Sequence, residues 1–319
     1  MPLLEVEKLK TYYFTPDSVV KAVDGVSFTL DKGEILAVVG ESGSGKSTLG
    51  LSIIRLVPRP GKIVGGKVVF EGVDLVSLPE KEMCKIRGKK ISAIFQDPLT
   101  SLDPLMRVGE QIVETLMTHF DVSKEEARER AIKFLEMVGI SGERFYDYPH
   151  QFSGGMRQRA MIAMAIATEP SLIIADEPTT ALDVVIQAQI MNVLVGLRDK
   201  LGVSVILITH DIALAMEVSD KMAVMYGGHL VEVASSEEIY RNPLHPYTKA
   251  LLEAVPDVEA PKGELKYIPG SPPDLSRPPP GCRFHPRCPY TTEKCGREEP
   301  REVWLGDHMV KCFLYGGGR

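Results

Sequence analysis

Three groups of residues have the types and spacing to do chemistry. The run Gly40-Glu41-Ser42-Gly43-Ser44-Gly45-Lys46-Ser47-Thr48 fits G-x-x-x-x-G-K-[ST]. Its glycines let backbone N–H groups approach a phosphate, Lys46 reaches β- and γ-phosphates, and Ser47 can ligate Mg2+. Gly40, Ser42, Gly43, Gly45, Lys46, Ser47 and Thr48 are therefore candidate nucleotide-binding residues. Asp176 and Glu177 follow the apolar run Leu172-Ile173-Ile174-Ala175. There Asp176 suits Mg2+ coordination through water, and Glu177 suits polarising the water that attacks a γ-phosphate. Cys282, Cys288, Cys295 and Cys312 lie within the last 38 residues at spacing C-x5-C-x6-C-x16-C, unlike the paired C-x2-C of common zinc modules. Four thiolates in a segment of little apolar periodicity read as a metal-stapled fold, and chemistry alone leaves both Zn2+ and an iron–sulfur cluster open. His285 and His308 are nearby alternative ligands, whereas Cys84 stands apart in a charged helical stretch.

Short β-branched runs alternate with helical patterns, which predicts an α/β core with a largely parallel sheet and ligands beyond the carboxyl ends of its strands. Strands are expected near residues 35–39, 68–70, 91–95, 172–175, 203–208 and 222–225. The phosphate run sits between the first of these and a helix beginning near Lys46, whose N-terminus would favour phosphate charge. From Pro98 to about Thr168 the pattern is almost entirely helical, including a helix from Lys124 that Ser123 and Glu126 cap and Gly139 stops. Another capped helix starts at Asp183, carries Ile186, Ile190, Val193, Leu194, Leu197 and Leu201 on one face, and stops at Gly202. After Ala234 prolines crowd residues 243–280, with Pro278-Pro279-Pro280 as a rigid spacer, so a separate C-terminal module is expected.

Hydrophobic residues at 44% and charged residues at 25% of 319 positions exclude a disordered chain. The net charge of -6 comes without the basic cluster of a nucleic-acid surface, so no nucleic-acid partner is expected. The longest apolar runs are strand-sized, where a membrane-spanning helix needs roughly 20 apolar residues. Glu5 and Glu7 stand where a secretory signal would be basic and then apolar. A cytoplasmic protein is expected, with its cysteines as reduced thiols or metal ligands and any membrane role supplied by partners.

Between the phosphate run and the acidic pair, Phe152-Ser153-Gly154-Gly155-Met156-Arg157-Gln158-Arg159 resembles the L-S-G-G-Q signature of ATP-binding cassette (ABC) ATPases, with Phe152 for Leu and Met156 for Gln. Ser153, Gly154 and Gly155 at the start of a helix over 156–167 would offer a hydroxyl and backbone amides to a phosphate. The resemblance covers residues 1 to about 235. It implies that Gln96 is the Q-loop glutamine, which touches the metal and water and faces a transmembrane subunit. Ala181-Leu182-Asp183 resembles the D-loop, and His210 resembles the switch histidine that contacts the γ-phosphate. Tyr13, or else Tyr12, resembles the aromatic that stacks on adenine. The implied fold is a P-loop NTPase ABC cassette at 1–235 with a helical subdomain at about 97–168. The implied catalytic residues are Glu177, His210 and Gln96, with Ser47 and Gln96 at Mg2+. Two ATP molecules would be sandwiched between two subunits, the signature of one closing over the phosphate loop of the other.

Asn242-Pro243-Leu244-His245-Pro246-Tyr247-Thr248-Lys249-Ala250-Leu251-Leu252 and Gly281-Cys282-Arg283-Phe284-His285-Pro286-Arg287-Cys288-Pro289 resemble the ATPase subunits of oligopeptide and dipeptide importers. That resemblance implies an extension at 236–319 with a four-cysteine module at 282–312, holding a [4Fe-4S] cluster or, as the alternative, Zn2+. It also implies a homo- or heterodimer with a second ABC ATPase, two transmembrane permease subunits and an extracytoplasmic solute-binding protein. The chain would then sit at the cytoplasmic face of the membrane, peripheral through the permeases. Nickel or oligosaccharide import by the same motor, and a non-transport ABC ATPase, are the alternatives. Against the last, only about 55 residues separate Gln96 from Ser153, too few for the long coiled coil of repair-type members.

Overall fold

A computed structural model describes residues 1–180, 182–255 and 268–316. They divide into two compact units, Met1–Asp31, Ile35–Val76 and Ile208–Arg319 in the first, Lys32–Glu34 and Ser77–Leu207 in the second.

The first unit contains an antiparallel sheet in the order Val19–Leu30, Leu4–Phe14, Gly61–Phe70, Val73–Asp74. Leu4 pairs with Leu30 on one side and Phe70 on the other, and Tyr13 pairs with Val20 and Gly61. The first strand is irregular, with register shifts between Val6 and Leu9 and a left-handed φ of 45° at Lys8. Such a bulge reverses which face successive side chains take. The parallel element of this unit is the pair Ile35–Val39 and Lys221–Tyr226. Lys221–Tyr226 turns back through Gly227 and Gly228, at φ 56° and 84°, into His229–Ser235. Two consecutive positive φ values define the tight hairpin turn that matches strand twist, and glycine adopts them at no steric cost.

The C-terminal residues extend this same layer. His308–Val310 pairs antiparallel with His229–Ser235, and Val303–Leu305 pairs with His308–Val310. Phe284 joins the core of Val39, Met222, Val224, Tyr226 and Tyr247. The change of composition after Ala234 thus marks a change of local structure, and the strand and core that follow are built into the first unit. Buried Glu232 fastens them: its carboxylate accepts from Leu244 N at 2.6 Å, His245 N at 2.9 Å and His308 Nε2 at 2.7 Å. A carboxylate removed from water persists only with such partners.

In the second unit the strand Leu172–Asp176 is parallel to Ile91–Ile94 and neighbours Ser204–Thr209. Helices Val108–His119, Lys124–Met137 and Gly154–Ile166 pack together, and Ile112, Leu116, Ala131, Leu135 and Ala160 on them are buried. The ring of Phe145 lies over Gly109, where a Cβ would come within 2.1 Å of it. Ser123 caps the second of these helices by accepting from Glu126 N, and Gly139 follows it at φ 79°. Helix Val184–Leu201 is capped by Asp183, ends at left-handed Gly202, and buries Ile190, Met191, Leu194 and Leu197. Among the described residues no helix is long and apolar enough to cross a membrane.

Candidate functional site

In the first unit the strand Ile35–Val39 ends at Gly40 and the helix Lys46–Ile53 begins after Gly45. The loop between them is tightly enclosed. A Cβ on Gly40 would lie 2.1 Å from Met225 O, and one on Gly45 would lie 2.0 Å from Ala22 O. Lys46, 4% exposed, donates from Nζ to Gly40 O at 2.7 Å and Glu41 O at 3.0 Å. The ammonium is thus folded back under the loop against its backbone carbonyls. Gly228 N donates to Ser44 O at 2.9 Å, so the hairpin turn also braces the loop. Gly43, at φ 78°, leaves open space where a side chain would project.

Tyr13 lies beside this helix, its hydroxyl 3.3 Å from Thr48 Oγ1. Tyr12, the alternative aromatic, points to the opposite face, as alternation in a strand requires. Its hydroxyl donates to Asp24 Oδ1 at 2.6 Å, and burial and that carboxylate hold its pKa far above the usual phenol range. His210 is exposed and follows the strand Ser204–Thr209 in a turn that Asp211 closes by capping Ile212–Val218.

In the second unit Asp176 is the last residue of its strand and Glu177 the first beyond it. Glu177 takes a left-handed φ of 47°. For a residue with a Cβ that conformation is strained, and it persists where surroundings over-determine it. Here Gln96 Nε2 donates to Glu177 Oε2 at 3.0 Å and Thr180 Oγ1 donates to the same oxygen at 2.8 Å. The two residues from separate strand ends, Gln96 and Glu177, are thereby brought together. Ser153 is the N-cap of the helix Gly154–Ile166, accepting from Met156 N at 3.3 Å, so Gly154 and Gly155 form the helix's first turn. Asp183 Oδ1 accepts from Ile186 N at 3.0 Å. Ala181 of the D-loop lies outside the described residues.

Cys282, Cys288, Cys295 and Cys312 line one cavity of about 230 Å3, with Phe284 and Phe313 in its wall. Burial pushes the Cys282 thiol up to about 11 and raises Cys288 and Cys312, and the neighbouring thiols add to each shift. Among the described residues no group of three or more His, Cys, Asp or Glu side chains could hold a metal ion. The expectation of a metal site at 282–312 thus meets no preassembled group among the described residues, although the four cysteines line one common space.

Two residues of the extension reach the phosphate loop and were not among the sequence candidates. Tyr247 OH accepts from Glu41 N at 2.9 Å, and Arg287 forms a two-point ion pair with the Glu41 carboxylate at 2.7 and 3.0 Å. Glu41 and Arg287 stand 246 residues apart, beyond any local sequence signal.

A nucleotide-binding P-loop between strand and helix, a signature-type helix start and an acidic strand end define the ABC cassette class. Residues 23–180 match the family model described as ABC transporter, and residues 231–295 match the model for the oligopeptide/dipeptide transporter C-terminal region. The oligopeptide transport ATP-binding protein AppD of Bacillus subtilis is 49% identical over 317 residues, covering 98% of this chain and 97% of AppD. OppD of Escherichia coli is 46% identical over 313 residues, covering 98% of this chain and 93% of OppD. The cassette MJ0796, solved as a dimer in a post-hydrolysis state with ADP and Pi, aligns at TM-score 0.66 and 31% identity, covering 73% of this chain and 98% of that one. The chain belongs to the ABC transporter ATP-binding proteins, ATPases of the P-loop α/β fold, within the oligopeptide/dipeptide branch.

Proposed function

We propose that this chain hydrolyses ATP to drive import of di- or oligopeptides through an ABC transporter, as one of two ATPase subunits beneath two permeases fed by an extracytoplasmic binding protein. The observation that carries the reading is the strained Glu177, whose carboxylate is held by Gln96 and Thr180 at a strand end. A carboxylate so fixed can accept a proton from an attacking water without first reorganising. Lys46 and the loop amides of Gly43 and Gly45 hold the β- and γ-phosphates, Tyr13 supports the adenine, and His210 meets the γ-phosphate. Ser47, Asp176 through water, and Gln96 would hold Mg2+, which neutralises the charge gathering on the phosphates. Ser153, Gly154 and Gly155 serve the ATP of the partner subunit, with Asp183 alongside. The cassette occupies 1–235 with its helical part at about 97–168, and the extension 236–319.

The test is reconstitution with permeases and binding protein in vesicles. Glu177→Gln should keep ATP binding while lowering hydrolysis and peptide uptake by roughly 10²-fold or more. Uptake unaffected by Glu177→Gln would overturn the motor role.

The four thiols fit a [4Fe-4S] cluster: the donor set is four sulfurs, and the space they line is wider than one ion needs. Zn2+ remains the alternative. The buried, protonated thiols must release protons on loading, so loading should strengthen as pH rises. About four iron and four sulfide per chain, in protein purified without oxygen, would support the cluster, and one zinc would replace it.

A further inference from the structure

Arg287 is 8% exposed and directly precedes Cys288, inside the loop that carries two of the four cavity thiols. Its guanidinium is fully engaged. Nη1 donates to Glu41 Oε2 at 2.7 Å and Tyr226 OH at 3.3 Å, Nη2 to Glu41 Oε1 at 3.0 Å and Ile268 O at 3.2 Å, and Nε to Pro269 O at 2.8 Å. Glu41 is the second residue of the phosphate loop. Its backbone N–H is held by Tyr247, and its carbonyl accepts from Lys46 Nζ at 3.0 Å. Phe284 of the cysteine loop packs on both Tyr226 and Tyr247, at ring centroid distances of 5.1 and 5.4 Å. All these residues belong to the first unit.

We infer that Arg287 is a positioning residue for ATP, and that through it the affinity of the phosphate loop for ATP depends on the four-cysteine loop. Two physical effects run through the pair. Glu41 is a carboxylate at the mouth of a site for a polyphosphate, and only a paired guanidinium keeps its charge from repelling the ligand. The Glu41 carbonyl also holds the Lys46 ammonium together with Gly40 O, so displacing Glu41 loosens the cation that would meet the phosphate. The cysteine loop transmits movement because it is stiff. Between Cys282 and Cys288 the backbone closes three successive bonds, His285 N to Cys282 O, Arg287 N to Phe284 O and Cys288 N to His285 O. A shift of either sulfur therefore moves Arg287.

The inference rests on the ATP reading above, and the experiment separates the two. Binding of Mg2+ with a fluorescent ATP analogue is measured on the full chain, handled without oxygen, for wild type, Arg287→Ala, Arg287→Lys and Arg287→Ala/Glu41→Gln, alongside melting temperature and ATPase kinetics. Arg287→Ala should weaken binding about tenfold or more, the range of a truncated buried charge pair, with the loss in KM rather than kcat. Arg287→Lys should recover part of the affinity, and the double variant should recover more because no unpaired carboxylate remains. Cys288→Ser should weaken binding in the wild-type background and have little further effect in Arg287→Ala. Unchanged affinity in Arg287→Ala with a lowered melting temperature would make the arginine a brace only and overturn the inference. Additive effects of Cys288→Ser and Arg287→Ala would overturn the coupling. A wild-type chain that binds no nucleotide would bring down the ATP reading and the positioning role with it.

Discussion

The phosphate loop and the signature segment both rely on glycine, and the structure uses it differently in each. At Gly40 and Gly45 an added Cβ would lie 2.1 and 2.0 Å from backbone oxygens of Met225 and Ala22, and both glycines have positive φ. At Gly155 and Gly154 the same addition would meet side chains, Ile186 Cγ2 at 2.7 Å and Leu182 Cδ2 at 3.3 Å, in ordinary helical backbone. Backbone cannot move aside, whereas the end of a leucine or isoleucine can. The phosphate loop is thus over-determined by its own unit, its lysine already seated. The signature segment needs smallness alone, with Ser153 and Gly154 exposed at the helix start and Gly155 buried beneath Ile186.

Three experiments press on this contrast. Gly45→Ala combines a φ of 104° with a clash against backbone, so it should cost about 4 kcal/mol or more and abolish binding of Mg2+ and ATP. Calorimetry and nucleotide binding would show it, and a stable, binding-competent variant would end the claim that the loop is rigidly enclosed. Acid should next loosen the unit that holds the loop. Burial lowers His245 to about 4, and its Nδ1 accepts from Tyr247 N at 3.1 Å, which requires an unprotonated ring. The unfolded chain takes that proton near the ordinary histidine value and the folded chain only near 4, so stability falls as pH drops from about 6.5 to about 4, by up to ~3 kcal/mol. His229, also lowered by burial, acts in the same sense. Hydrogen exchange across that range should show protection lost first in the first unit. The smallest effect belongs to Gly155→Ala, about 1 kcal/mol in either direction as Ile186 gives way and helix propensity improves. The single chain should still bind ATP, while hydrolysis by the dimer drops.

Much of this architecture was legible in the sequence because the chemistry sits where regular elements end. The runs before Gly40, Asp176 and His210 are strands, Ser123 and Asp183 cap their helices through their side chains, and Gly202 ends one through left-handed backbone. The strands Leu4–Phe14 and Val19–Leu30 went unread. The bulge at Lys8 breaks the alternation of burial, so the run lacks a steady period of two. The strands Val303–Leu305 and His308–Val310 are three residues each, too short to carry any period. The signature helix starts two residues before its expected first residue, at Gly154, because Ser153 caps it and glycine's poor propensity is outweighed by position in the first turn. The Glu41 to Arg287 pair had no local trace, since nothing near either residue names the other.

The hairpin of 303–310 has a consequence for how the chain is made. Synthesis runs from the N-terminus, and His229–Ser235 emerges long before His308–Val310, its antiparallel partner on one side. Until those last residues arrive, an apolar strand of a nearly complete sheet shows a row of open amides and carbonyls, the template on which chains pair with one another. Shortening the chain to the cassette alone would make that exposure permanent. Fragments ending near residue 300 should therefore be found as aggregates in the cell even though every residue of the phosphate loop is present.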